Sequence, residues 1–165
     1  MRGCRIFARW LRGERLRLKK AARNEVFYLL FETQNEIDIR ERSPLALAFV
    51  GDGVYELLVR AREVERTRLT PNKLHSMAVR FVSAKGQFSA LKLIEPMLTE
   101  EEQNIVRRGH NASKATVAKN ASPEEYRGST ALEALFGYLY LEGRNDRILE
   151  LFEIIWTAQS EENAK

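Results

Sequence analysis

One cysteine and two histidines leave this 165-residue chain short of the ligands that cross-linked or zinc-bound small proteins need. Cys4 alone cannot build an internal disulfide framework, and it fits a reducing compartment, so a cytoplasmic location is expected. His75 and His110 are too few for a zinc site of the usual His/Cys type. No apolar run approaches the roughly 20 residues of a membrane span, so no membrane partner is expected. Sustained period-two alternation between turn dipeptides is also missing, which argues against strands. Proline is scarce. Of its four residues, Pro44, Pro71 and Pro123 each follow a Ser or Thr, where proline opens a helix rather than breaking one.

Acids are nearly missing from the first 23 positions, which hold nine basic residues and only Glu14, a net +8. The whole chain carries +4, so the other 142 residues carry −4. The basic character therefore belongs to an arm, not to the folded body. Residues 1–35 read as a basic N-terminal extension suited to nucleic acid or an anionic surface. As a targeting presequence the arm would lack the usual serine enrichment, and it could equally have no role. Residues 36–160 read as one domain with a sizeable core, of ordinary globular composition.

What is present is helix after helix. Ser43-Pro44 and Thr70-Pro71 open helices expected over 44–62 and 71–82. Thr99-x-x-Glu102 and Ser122-x-x-Glu125 are capping boxes for helices over 100–109 and 123–142. Further helices are expected over 84–96 and 146–158, with a short one over 22–33, and Gly143 reads as a C-terminal stop. Leu91, Leu93, Ile94, Met97 and Leu98 form one core stripe; Leu149, Leu151, Phe152, Ile155 and Trp156 form another. His75, beside Leu74 and Met77, reads as a hydrogen-bonded structural residue. The fold class is all-α.

Two of these helices each carry a solitary acid: Asp52 within Leu45–Tyr55 and Glu133 within Ala131–Leu141. Neither apolar stretch contains a Lys or Arg to neutralise its acid. An unpaired buried carboxylate is costly, so a partner is required. If the two helices cross, both acids can share a divalent cation, as hard oxygen ligands do. Gly51 and Gly53 flank Asp52, and Gly137 lies one turn past Glu133. Each glycine costs a helix about 1 kcal/mol relative to Ala, a cost tolerated where backbones or a ligand approach closely. Tight helix crossing accounts for the glycines but leaves the acids unexplained.

The stretch Gly51-Asp52-Gly53-Val54-Tyr55-Glu56-Leu57 resembles the signature helix of the ribonuclease III family, and Leu132-Glu133-Ala134-Leu135-Phe136-Gly137 resembles that family's second catalytic segment. The likeness is closest to its short branch, Mini-ribonuclease III, which has no separate double-stranded-RNA-binding domain. Leu74-His75, the run Phe81–Gln87, Arg107–Ala112 and Tyr126–Leu135 match in constant order, over about residues 36–158. The resemblance implies a homodimeric endoribonuclease that cuts double-stranded RNA with Asp52 and Glu133 as Mg²⁺-binding catalytic acids. It further implies maturation of precursor large-subunit ribosomal RNA. A non-catalytic RNA-binding homologue is the alternative. Ala48 and Thr130 stand where longer members of the family carry additional carboxylates, which leaves fewer metal ligands here. Glu56, one turn after Asp52, reads as a solvated or salt-bridged residue that could assist through water.

The polar connection over residues 110–122 is the second candidate site. Arg107, Arg108, His110, Asn111, Lys114 and Lys119 supply donors for phosphate and sugar oxygens. On residue types alone it is a solvated surface loop; the resemblance turns it into a contact for double-stranded RNA, which is read by shape and 2′-hydroxyls. The family pattern has Arg where His110 stands. Because histidine is only partly charged near neutral pH, a weaker or more pH-sensitive contact is expected there.

Overall fold

In the computed structural model, residues 38–112 and 121–162 are described. The basic arm and the expected helix over 22–33 lie outside them. Among the described residues there are six α-helices and no strand: α1 (Pro44–Arg66), α2 (Pro71–Val82), α3 (Ala84–Ile94), α4 (Glu100–Ala112), α5 (Pro123–Leu141) and α6 (Asn145–Glu162). No helix among the described residues is long and apolar enough to cross a membrane.

Local chemistry sets most of these boundaries. Ser43 Oγ accepts from the Ala46 amide at 3.1 Å, with Pro44 at the first helical position. Both capping boxes form. Thr99 Oγ1 accepts from the Glu102 amide while Glu102 Oε2 accepts from the Thr99 amide. Ser122 and Glu125 reciprocate in the same way at the start of α5. Ser83 caps α3 by accepting from the Gly86 amide. Thr70 departs from expectation: its side chain makes no capping bond, and Pro71 opens α2 without it. After α5, Gly143 adopts φ +68°, where a side chain would be strained, and turns the chain into α6.

Helix α5 is the centre of the fold. From Gly128 to Leu139 every residue except Glu133 is buried. A helix apolar on nearly all sides must be surrounded, and α1, α3 and α4 pack most extensively against it. Aromatic rings close the remaining gaps. Tyr55 of α1 meets Phe136 edge-on at 5.2 Å between centroids, and Phe81 of α2 stacks on Trp156 of α6 at 4.7 Å.

Four expectations are corrected. Helix α4 continues to Ala112, so His110 and Asn111 lie in its last turn rather than in a loop. Met97 is exposed because a 3₁₀ turn over Glu95–Met97 swings it away from the core face. Leu149 is exposed because it lies about 100° round α6 from buried Ile148, off the stripe that Leu151, Phe152, Ile155 and Trp156 do form. His75 is exposed and not a hydrogen-bonded core residue, since α2 turns Ala78 and Phe81 inward.

Candidate active site

Glycines decide how α1 and α5 meet. A Cβ on Gly51 would lie 1.7 Å from the Glu133 carbonyl oxygen, and one on Gly137 would lie 2.0 Å from that of Leu47. Neither position has room for a side chain, so the two backbones touch. The helices cross there, and Asp52 and Glu133 are the residues beside the contact. The crossing expected for these two helices is present. Gly53, by contrast, has nothing within 4 Å of where its Cβ would be; its freedom is not used within the chain.

The two acids feel one another. Glu133 is the one residue of the buried α5 segment that reaches solvent. Burial pushes its carboxyl up, the Asp52 charge pushes it further, and Gln87 pulls it part of the way back, leaving its pKa at about 7. Asp52 is exposed at the mouth of the crossing; its pKa is also raised, first by loss of solvation and then by Glu56. Glu56 is ion-paired with Arg60, whose Nε donates to it at 3.0 Å. Two adjacent carboxylates without a basic partner, one of them held near neutrality, are the donor set a hard divalent cation seeks. Ala48 is buried, and the Thr130 hydroxyl donates to the Tyr126 carbonyl at 3.0 Å, so neither adds a ligand. No cluster of three or more His, Cys, Asp or Glu residues that could hold a metal occurs among the described residues. The fit is therefore to an ion that takes two protein oxygens and keeps its waters, as Mg²⁺ readily does.

Gln87 enters this site unannounced by charge. It is fully buried on the inner face of α3, in line with Ala90, Leu91 and Ile94. Its Nε2 meets no acceptor at full hydrogen-bond geometry, yet the side chain draws down the pKa of Glu133. Its approach to that carboxylate is therefore long or bent rather than absent. The signal was in the chain: a lone amide at spacings of three, four and seven from apolar residues, on the core face of a short helix.

The basic residues are divided. Arg107 is exposed and bonds Asn104, His110 is half-buried, and Asn111 is exposed; these three share one face of the end of α4. Arg107 and His110 also border a groove of about 710 Å³ that includes Phe88 and Lys92. Arg108 points elsewhere, donating to the Arg42 carbonyl at 3.0 Å. Gly109 seats this turn, because a Cβ there would come within 2.9 Å of Ala131 and Ala134. Lys114 and Lys119 lie outside the described residues.

Comparison with known proteins agrees with this arrangement. The family described as the Ribonuclease III domain matches residues 45–144. The Mini-ribonuclease 3 of Brevibacillus brevis is 48% identical over 111 residues, spanning 67% of this chain and 83% of that protein. That of Staphylococcus aureus is 40% identical over 132 residues, spanning 79% and 98%. A crystal structure of a protein from Fusobacterium nucleatum superposes with a TM-score of 0.68 at 32% identity, covering 74% of this chain and 98% of that one. With its glycine-seated crossing of two acid-bearing helices and its likeness to these relatives over most of their length, the chain belongs to the ribonuclease III family, in its Mini-ribonuclease III branch.

Proposed function

We propose that this protein is a Mg²⁺-dependent endoribonuclease that cleaves double-stranded RNA as a homodimer in the cytoplasm, with precursor large-subunit ribosomal RNA as its biological substrate. The observation that carries the reading is the meeting of Asp52 and Glu133 at one solvent-facing crossing, with no cationic side chain between them. Both would hold the cation. When bound, it supplies a water of lowered pKa and neutralises charge on the scissile phosphate.

The remaining work falls to the chain. Glu133 loses its proton to become a ligand, which its pKa of about 7 makes easy near neutrality. Asp52, being exposed, faces the approaching phosphodiester. Hydrolysis in this geometry releases a 3′-hydroxyl and leaves a 5′-phosphate. Arg107, His110 and Asn111 present donors to phosphate and ribose from one face of α4, and Lys114 and Lys119 extend that set. Arg108 acts mainly by tying α4 to the segment before α1.

The second copy is argued from α1. Leu45, Phe49, Leu57 and Val64 are 50%, 85%, 58% and 63% exposed, and all fall on one face of about 120°. Asp52 lies at the edge of that face. A contiguous apolar surface of this kind is an interaction surface, and a partner pairing there would set two catalytic sites beside one RNA-binding channel.

The test is cleavage of an end-labelled RNA duplex by the intact protein and by Glu133→Gln, with Mg²⁺ and with EDTA. Mg²⁺-dependent cutting that the substitution abolishes, with RNA binding retained, is expected. Binding without cutting on several duplexes would establish a non-catalytic RNA-binding homologue instead.

A further inference from the structure

We propose that Gln87 is a positioning residue for the metal-binding carboxylate: its buried amide steadies one oxygen of Glu133 so that the other is presented to the cation. This rests on the nuclease reading above and extends it to a residue on a third helix. Three observations carry it. First, Gln87 is fully buried among apolar neighbours, where a polar side chain is retained only if it has work to do. Second, its Nε2 has no acceptor at full hydrogen-bond geometry, while the group it acts on is Glu133. A donor left short in the cation-free chain has a bond still to complete, and a fully ionised carboxylate is the stronger acceptor. Third, the backbone under Gln87 is held from several directions. Gln159 Nε2 donates to the Gly86 carbonyl at 2.8 Å from α6, Ser83 Oγ accepts from the Gly86 amide, and Gly86 lies so close to the Arg80 carbonyl that a Cβ would come within 2.0 Å of it. Residues that orient a metal ligand need such support to hold their own rotamer.

The chemistry favours an amide here. A carboxylate would add charge to a site already strained by two, and a lysine would compete with the cation for Glu133. A neutral N–H donor orients the ligand without displacing either proton or metal. With two carboxylates as the whole acidic donor set among the described residues, misplacing one of them has a large effect.

The experiment compares the intact chain with Gln87→Met, which keeps length and volume, and Gln87→Asn, which keeps the donor but shortens its reach. Mn²⁺ binding to the full chain is measured by calorimetry without RNA. Single-turnover cleavage of a labelled duplex is measured against Mg²⁺ concentration. Both variants are expected to weaken metal binding and raise the half-saturating Mg²⁺ about 10–100-fold, with less than about tenfold loss of rate at saturating Mg²⁺. Thermal stability in EDTA should be maintained. An unchanged half-saturating Mg²⁺ in a folded variant overturns the proposal, as does a loss of stability with metal binding intact. Should both variants fail to fold, the ¹⁵N resonance of the Gln87 side-chain amide in the intact protein decides. It is expected to shift on adding Mg²⁺, and to stay still in Glu133→Gln; no shift in the intact protein overturns the proposal. If the intact chain neither binds Mn²⁺ nor cuts, the nuclease reading itself has failed, and this inference with it.

Discussion

Glu133 is poised against its own fold. Burial and Asp52 hold its pKa at about 7, above the 4.5 of an ordinary glutamate. A group whose folded pKa is raised stabilises the fold below its unfolded value and loses that contribution as pH rises through the folded one. Removing the charge should therefore help where the carboxylate would be ionised. In EDTA, Glu133→Gln is expected to be more stable than the intact protein by about 1–3 kcal/mol at pH 8, a range discounted for the solvent that reaches this side chain. Most of that gain should vanish by pH 5. Urea unfolding at both pH values measures it, and equal stabilisation at each would mean that the charge on Glu133 is not its source. Glu102 presents the opposite case. It is wholly buried; burial raises its pKa, but bonds from Arg147 and Thr99 and the charges of Arg147 and Arg144 outweigh that and hold it low. Glu102→Ala would strand both arginines and remove the α4 cap, at an expected cost of about 3 kcal/mol. A denaturation midpoint unchanged from the intact protein would show the network to be dispensable.

Between elements, the contact of α1 with α5 matters more than any single side chain. Gly51 and Gly137 meet backbone to backbone, so adding even a methyl group forces the helices apart. Gly137→Ala is expected to destabilise the protein by about 3 kcal/mol and to separate Asp52 from Glu133. Cleavage should then fall even at temperatures where the variant is folded, which single-turnover assays on protein checked by circular dichroism would reveal. Full activity in a folded Gly137→Ala would mean that the crossing distance does not set the site. The helices themselves were legible in the chain because caps are local: Ser43, Thr99 and Ser122 each bond an amide three residues on. Helix ends lacking such a marker were not. Nothing between Gly109 and Ala112 terminates α4, and it continues past the expected stop.

At the scale of the molecule, the exposed apolar face of α1 asks for a second copy. Phe49, 85% exposed in the single chain, stands within that face. Phe49→Asp is expected to convert a dimer into a monomer in sedimentation velocity at micromolar concentration, with helix content retained and duplex cleavage lost. A monomeric intact protein that still cuts both strands would remove the need for the partner. The corrected residues belong to this scale too. His75, Met97 and Leu149 have apolar or helical surroundings in sequence, yet each faces outward. Which side of a helix turns inward is set by its neighbours, and a short window cannot report that.

Some things about this protein followed from its residues alone. The all-α class, the cap-marked helix starts and the isolation of Asp52 and Glu133 are consequences of propensity, local hydrogen bonding and spacing, all acting within a few residues. Membership of the ribonuclease III family was likewise readable, because its motifs stand in order along the chain. Only the tertiary structure decided that the two acids lie together, that Arg108 is tied to Arg42 while Arg107 and His110 are not, and that a buried glutamine from α3 attends Glu133. These depend on contacts between residues tens of positions apart. Such contacts exist only after apolar burial has brought α1, α3 and α4 onto α5, and no local rule of sequence specifies which backbone will touch which.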